Sequence, residues 1–199
     1  MTGKIITISR QFGSGGRSVG KLVAEKLGIN CYDSAIIDKI AKESGFSEEY
    51  IKNQSEDAVE AGWFAALAGR NYYGQSNQDL IWIAQCKVIE DLAKVGDCVI
   101  VGRCADYILK GKNDLLRVFI YADNDSRVKR IVEQYGETEE NPYKRLKEKD
   151  RKRSAYYEIY TDQRFGDPSN YDICLNSGTV GIDMCADFIA DMYRLQYQK

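Results

Sequence analysis

The chain has 199 residues with 28 Lys and Arg against 30 Asp and Glu, a formal charge of −2 that points neither to nucleic acid nor to an anionic membrane. Histidine is absent, which removes Ser-His-Asp and Cys-His catalysis and every His-ligated metal site. Six cysteines without a C-x-x-C pair read as reduced thiols, and the length suits one compact domain. No apolar run approaches the ~20 residues of a bilayer span, and no charged-then-apolar leader follows Met1, so the expected location is the cytoplasm.

Ile5, Ile6 and Ile8 predict a first strand, and Val19, Leu22, Val23 and Leu27 recur at helical spacing behind a loop with three glycines in four positions. A second strand is expected over Ile29 to Tyr32. A helix capped by Asp33 or Ser34 should then carry Ile36, Ile37, Ile40 and Ala41 until Gly45. A further helix start at Ser47-Glu48-Glu49 leads into a weakly periodic segment with Trp63, Phe64, Tyr72 and Tyr73, as easily core as base-stacking surface. Ser76 to Asp79 predicts the start of a long helix through Leu92, closed by Gly96.

Cys98 to Val101 is a continuous apolar run of the kind a strand buried on both faces shows, and it stops at Gly102-Arg103. A short helix over Cys104 to Lys110, a strand over Leu115 to Tyr121 and a helix capped by Asp123 or Asn124 follow. Residues 137–164 are strongly charged, with Pro142 suited to a first helical turn. A last strand is expected over Tyr171 to Leu175. Thr179 should open a C-terminal helix burying Cys185, Phe188, Ile189 and Met192.

Alternating strands and helices argue for an α/β fold with a parallel sheet covered on both faces. Ligands in such sheets bind beyond the carboxyl ends of the strands, where the loops at Ser9 to Ser18, Asp33-Ser34, Gly102-Arg103 and Ala122-Asp123 would open. Against G-x-x-x-x-G-K-[ST], Gln11 to Ser18 has Gly16 and Ser18 in place, Gln11 for the first Gly and Arg17 for the Lys. Gly13, Gly15 and Asp33 also fit part of a dinucleotide loop, with Ser18 where its third Gly would stand. A plain strand-to-helix turn needs fewer glycines.

Arg127, Arg130, Arg145, Arg151, Arg153 and Arg164 favour the phosphate loop of a kinase, because phosphoryl transfer needs fixed cations and hydride transfer does not. Individually, each could be an i,i+4 partner of Glu133, Glu148 or Asp150. Arg103, directly after a buried strand and a Gly, reads as a binding cation or as a salt-bridge partner of Asp106 or Asp123.

Ile6 to Arg17, Val99 to Asp106, Asp150-x-x-Arg153-x-x-Tyr156-Tyr157-x-x-Tyr160-Thr161, and Phe165 to Pro168 with Tyr171-Asp172 and Leu175 to Ser177 together resemble the cytidylate kinase-like family of P-loop kinases. The resemblance implies a three-layer P-loop kinase domain over 1–199, with five parallel strands, a helical monophosphate-binding insertion at 33–96 and a lid at 137–164. By position, Gly13, Ser14, Gly15, Gly16, Arg17 and Ser18 would hold ATP phosphates, with Arg127 a further candidate. Ser18 with waters would hold Mg²⁺. Asp33, Ser34, Lys39, Arg103, Asp150 and Arg153 would bind the acceptor, and Arg17, Arg151 and Arg153 would act in transfer.

The expected reaction moves the ATP γ-phosphate to a nucleoside monophosphate, CMP or dCMP first. The expected partners are nucleotides alone, without nucleic acid, membrane or an obligate protein. On the register Gln11 to Ser18, the resemblance would put Arg17 where true cytidylate kinases carry the loop Lys, and Lys39 where they carry an Arg. The alternatives are a nucleotide-binding module without turnover and a dinucleotide-dependent oxidoreductase.

Overall fold

A computed structural model of the chain describes residues 3–33, 36, 39, 77–111, 114–136 and 141–197. The readings at Gly45, Ser47 to Glu49, Trp63, Phe64, Tyr72 and Tyr73 lie outside them, as do Ser34 and the side chains of the Ser76 to Asp79 cap. Strand β1 (Ile5–Arg10) leads through the glycine loop into α1 (Gly16–Leu27), then β2 (Asn30–Tyr32). Helix α2 (Asn77–Val95) precedes β3 (Cys98–Val101), the short α3 (Ala105–Ile108), β4 (Leu115–Tyr121) and α4 (Asn124–Glu133). Helix α5 (Pro142–Thr161), a 3-10 turn (Pro168–Asn170), β5 (Ile173–Asn176), α6 (Ser177–Val180) and α7 (Ile182–Tyr197) complete the described chain.

The five strands form one parallel sheet in the order β2-β3-β1-β4-β5. Its two faces follow the two-residue period of the strands. Ile6, Ile8, Val99, Val101, Leu116, Val118 and Ile120 pack with α1 and α7, whereas Ile5, Cys98 and Ile100 pack with α2 and α3. Runs that are apolar at every position are therefore central strands with a helix layer on each side. Each fully buried Ile, Leu or Val contributes about 1.5–3 kcal/mol relative to its exposed state.

Local signals set the boundaries. Gly28, at φ +66, ends α1 by turning its N–H onto the carbonyls of Ala24 and Glu25. Asp123 caps α4 by accepting from Ser126 N at 2.8 Å, and Asn141 caps α5 with Pro142 behind it.

The final third departs from its pattern in two places. The last strand begins at Ile173 because Tyr171 packs on Phe119, 4.9 Å between ring centroids, while Asp172 is held by Arg117. Helix α7 buries Cys185, Ala186, Ile189, Ala190 and Tyr193 and leaves Phe188 and Met192 exposed. The small Ala186 packs in the core with α1 and the sheet and Ala190 is also buried, so the larger apolar residues do not mark the inner stripe. Among the described residues no helix is long and apolar enough to cross a membrane.

Candidate active site

The strands are parallel, so the ends of β1, β2, β3 and β4 open on one edge, and the glycine-rich loop sits at its centre. Gly13 and Gly15 adopt left-handed backbone, at φ +75 and +78, and Gly15 caps α1. Val19 N bonds Gly15 O at 3.0 Å. The N–H groups of the first turn, at Gly16, Arg17 and Ser18, therefore have no acceptor within the helix, and the helix dipole points at whatever lies before them. A side chain at Gly13 would collide with α4, 2.9 Å from Ile131 Cγ2.

Neighbouring elements hold the loop from every side. The Ser14 hydroxyl is turned inward onto Gln11 O at 2.9 Å and Ile120 O at 3.0 Å, and its carbonyl accepts from Ser177 Oγ. The buried Arg127 donates from Nε to Phe12 O at 2.7 Å and ion-pairs with Asp150. Asp150 also accepts from Phe12 N at 2.7 Å, and Arg130 Nη1 bonds Gly13 O at 2.7 Å. Arg153 lies over the Phe12 ring, 5.5 Å from its centroid, and bonds Arg10 O at 3.2 Å. Helices α4 and α5 thus grip the loop backbone through charged side chains, which keeps its N–H groups oriented before any ligand arrives.

Beside the loop lies a small recess lined by Arg10, Arg103, Arg153, Gly102, Tyr156 and Phe165, among others. Three guanidinium groups on one small hollow suit an anionic occupant. The turn presenting Arg103 is strained, since Gly102, Arg103 and Cys104 are consecutively left-handed at φ +80, +58 and +54. It is held by the buried Gln85, whose Nε2 donates to Arg103 O at 2.8 Å while its Oε1 accepts from Tyr156 OH at 3.1 Å. A second, more open hollow is lined by Gln11, Asp150, Arg151, Ser154, Phe165 and Gly166.

The model of the cytidylate kinase-like family matches residues 5–179. The chain belongs to the cytidylate kinase-like family. It is 26% identical over 187 residues to a cytidylate kinase of Archaeoglobus fulgidus, covering 92% of this chain and 91% of that one. A cytidylate kinase of Methanococcus aeolicus is 29% identical over 185 residues, with 90% and 91% covered. Among solved structures, an uncharacterized protein from Eubacterium ventriosum superposes with a TM-score of 0.72 at 31% identity, over 95% of this chain and 97% of the other. Shikimate kinase from Acinetobacter baumannii superposes at 0.56 with 16% identity, over 100% and 97%, a likeness of fold. Family and fold together make the chain a nucleotide-binding phosphotransferase of the nucleoside monophosphate kinase type.

In this family member, Gly13, Gly15, Gly16 and Ser18 surround the start of α1, with Ser18 exposed. Arg17 turns sideways from α1 and ion-pairs with Asp33 at the end of β2. Arg103 and Arg153 meet at the recess, Arg151 lines the outer hollow, and Asp150 and Arg127 join the loop to α4 and α5. Lys39 is exposed in helical backbone after β2.

Sequence reasoning passed over Arg10 and Gln85. Asp106, expected only as a salt-bridge partner of Arg103, is buried and instead accepts from Tyr157 OH at 2.6 Å and Ser9 Oγ at 3.2 Å. Burial raises the Asp106 carboxyl above its ordinary range against the pull of those bonds, and burial with the nearby Asp106 charge raises Tyr157. The signal for Arg10 was its place at the end of a buried strand. Gln85 carried no comparable mark, and nothing along the chain set Asp106 against Tyr157 and Ser9.

Proposed function

We propose that the chain transfers the γ-phosphoryl group of ATP to CMP or dCMP. The observation that carries this reading is the adjacency of two anion sites: the loop before α1 and the recess at Gly102 and Arg103 both lie at the carboxyl edge, with Arg10 between them. One suits a donor's phosphates and the other an acceptor's phosphate.

In this reading the N–H groups of Gly15, Gly16, Arg17 and Ser18 cradle the donor phosphates. Ser14 and Arg127 serve the cradle from behind, since their polar groups already hold Gln11, Ile120, Phe12 and Asp150. Arg103 and Arg153 bind the acceptor phosphate, and Asp150 positions the loop. Asp33, held by Arg17, serves the acceptor together with Lys39, and Ser34 is assigned to the acceptor from its place in the sequence. Arg151 reaches the donor from α5, whose residues 142–161 belong to the lid, while the insertion spans 33–96.

The acceptor oxygen is already anionic, so transfer demands positioning and cations rather than a general base. Mg²⁺ bound to ATP would neutralise phosphate charge. Ser18, exposed on the first turn of α1, would hold it with waters.

Turnover of ATP and Mg²⁺ with CMP, dCMP, UMP, AMP and GMP tests the reading. Formation of ADP and the acceptor diphosphate, fastest with CMP or dCMP, is the expected result. Measurable ATP binding without any diphosphate product would favour a nucleotide-binding module instead.

A further inference from the structure

We propose that Arg10 is the cation that holds the donor's terminal phosphates, standing in for a cation on the loop itself; this rests on the phosphotransferase reading above. The left-handed glycine immediately before α1 is Gly15, and Gly16 is the first helical residue. Counted from that glycine, the motif G-x-x-x-x-G-K-[ST] runs from Arg10 to Arg17. Gly16 then occupies the lysine position, and Arg10 that of the first glycine.

The space suits the exchange of roles. A Cβ at Gly16 would lie 2.6 Å from Arg10 Cβ and 3.0 Å from its Cγ, so the stem of Arg10 fills the volume where a side chain at 16 would begin. A Cβ at Gly102 would overlap the Arg10 guanidinium, 2.8 Å from Cζ. One arginine therefore packs against two glycines. Its stem passes over the start of α1, and its fork ends against the β3 turn at the wall of the recess.

The backbone beneath this side chain is fixed. Arg10 pairs with Ile120 in the sheet, its carbonyl accepts from Arg153 Nη1 at 3.2 Å, and Gln11 N bonds Ile120 O at 3.0 Å. Arg17, by contrast, is directed to Asp33, and its side chain is 58% exposed. A fork held between the cradle and the recess lies where charge gathers during transfer between two bound phosphates.

Calorimetric titration of ATP and ADP into the full chain and its Arg10→Met, Arg10→Lys, Arg10→Gly and Arg10→Gly/Gly16→Lys variants tests the assignment. Losing a charge-assisted contact should weaken ATP binding by about tenfold or more in Arg10→Met, and erase the preference for ATP over ADP. Arg10→Lys should recover part of the affinity. Arg10→Gly/Gly16→Lys should bind ATP more tightly than Arg10→Gly, because the lysine now rises from the helix into the vacated space.

ATP affinity within twofold of wild type in Arg10→Met overturns the proposal, as does a loss confined to CMP. Where Arg10→Met does not unfold cooperatively, equal ATP affinities of the Gly variant and the double variant overturn it. A wild-type chain that binds no ATP overturns the nucleotide reading as well, which separates the two failures.

Discussion

The carboxylate of Asp150 accepts a hydrogen bond from the backbone N–H of Phe12 at 2.7 Å, fastening α5 to the glycine-rich loop. Its other oxygen ion-pairs with Arg127, which is 4% exposed. Asp150→Ala should therefore strand a buried guanidinium and cost about 3 kcal/mol in urea unfolding. The loop loses its anchor at the same time, so ATP affinity should fall. Unchanged stability and unchanged ATP affinity would refute the anchoring role.

Gln85 and Arg103 separate support from contact. Arg103→Ala should raise the KM of the acceptor with little change in ATP binding. Gln85→Leu removes the partner of the strained Arg103 carbonyl and of Tyr156 OH, so it should cost about 2 kcal/mol and raise the same KM less steeply. Steady-state kinetics at saturating ATP distinguishes them. A loss confined to ATP affinity in Arg103→Ala would exclude an acceptor role.

Gly20 lies under β3 and has no left-handed backbone to explain it. A Cβ there would lie 2.7 Å from Val101 Cγ2 and 3.4 Å from Ile8 Cδ1, both fully packed. Gly20→Ala should destabilise by about 1–3 kcal/mol through overpacking, although alanine is the better helix former. A rise in melting temperature would contradict the close approach of α1 to the sheet.

Acid should loosen the β4–β5 edge. Burial opposes ionisation of Asp172, but paired bonds from Arg117 at 2.7 and 3.2 Å and from Arg117 N at 2.8 Å outweigh it, and the carboxyl sits below its ordinary range. A lowered carboxyl contributes stability above its unfolded pKa and loses it as pH falls through the folded value. Asp172→Asn should cost about 0.5–1 kcal/mol at pH 7, given the partial exposure of the pair, and have a shallower acid limb below about pH 4. Urea midpoints of both proteins between pH 3 and 7 measure the difference.

Cys104 and Cys31 lie close to the site. Burial raises the Cys104 thiol well above its ordinary range, helped by Asp106, and burial with Asp33 raises Cys31. Neither should be a thiolate at pH 7, so iodoacetamide should label both slowly in the native chain and rapidly in urea. Fast native labelling of Cys104 would argue for an open β3 turn.

By itself the sequence determined the layers and the edge at which ligands meet. Ile5 to Ile8, Cys98 to Val101 and Leu115 to Tyr121 are apolar at nearly every position, which only strands covered on both faces can be. The punctuation by Gly28, Asp123 and Pro142 acts within a few residues of chain. The start of α1 and the Arg103 turn were visible for the same reason, since each is a local departure from an adjoining apolar run. Tertiary structure alone decided which cation faces which anion. Arg17 pairs with Asp33, Arg127 with Asp150, and Arg10 passes between Gly16 and Gly102, across separations from 6 to 92 residues. A long charged side chain reaches several ångströms in any direction, so spacing along the chain leaves its target open until the strands and helices are in place.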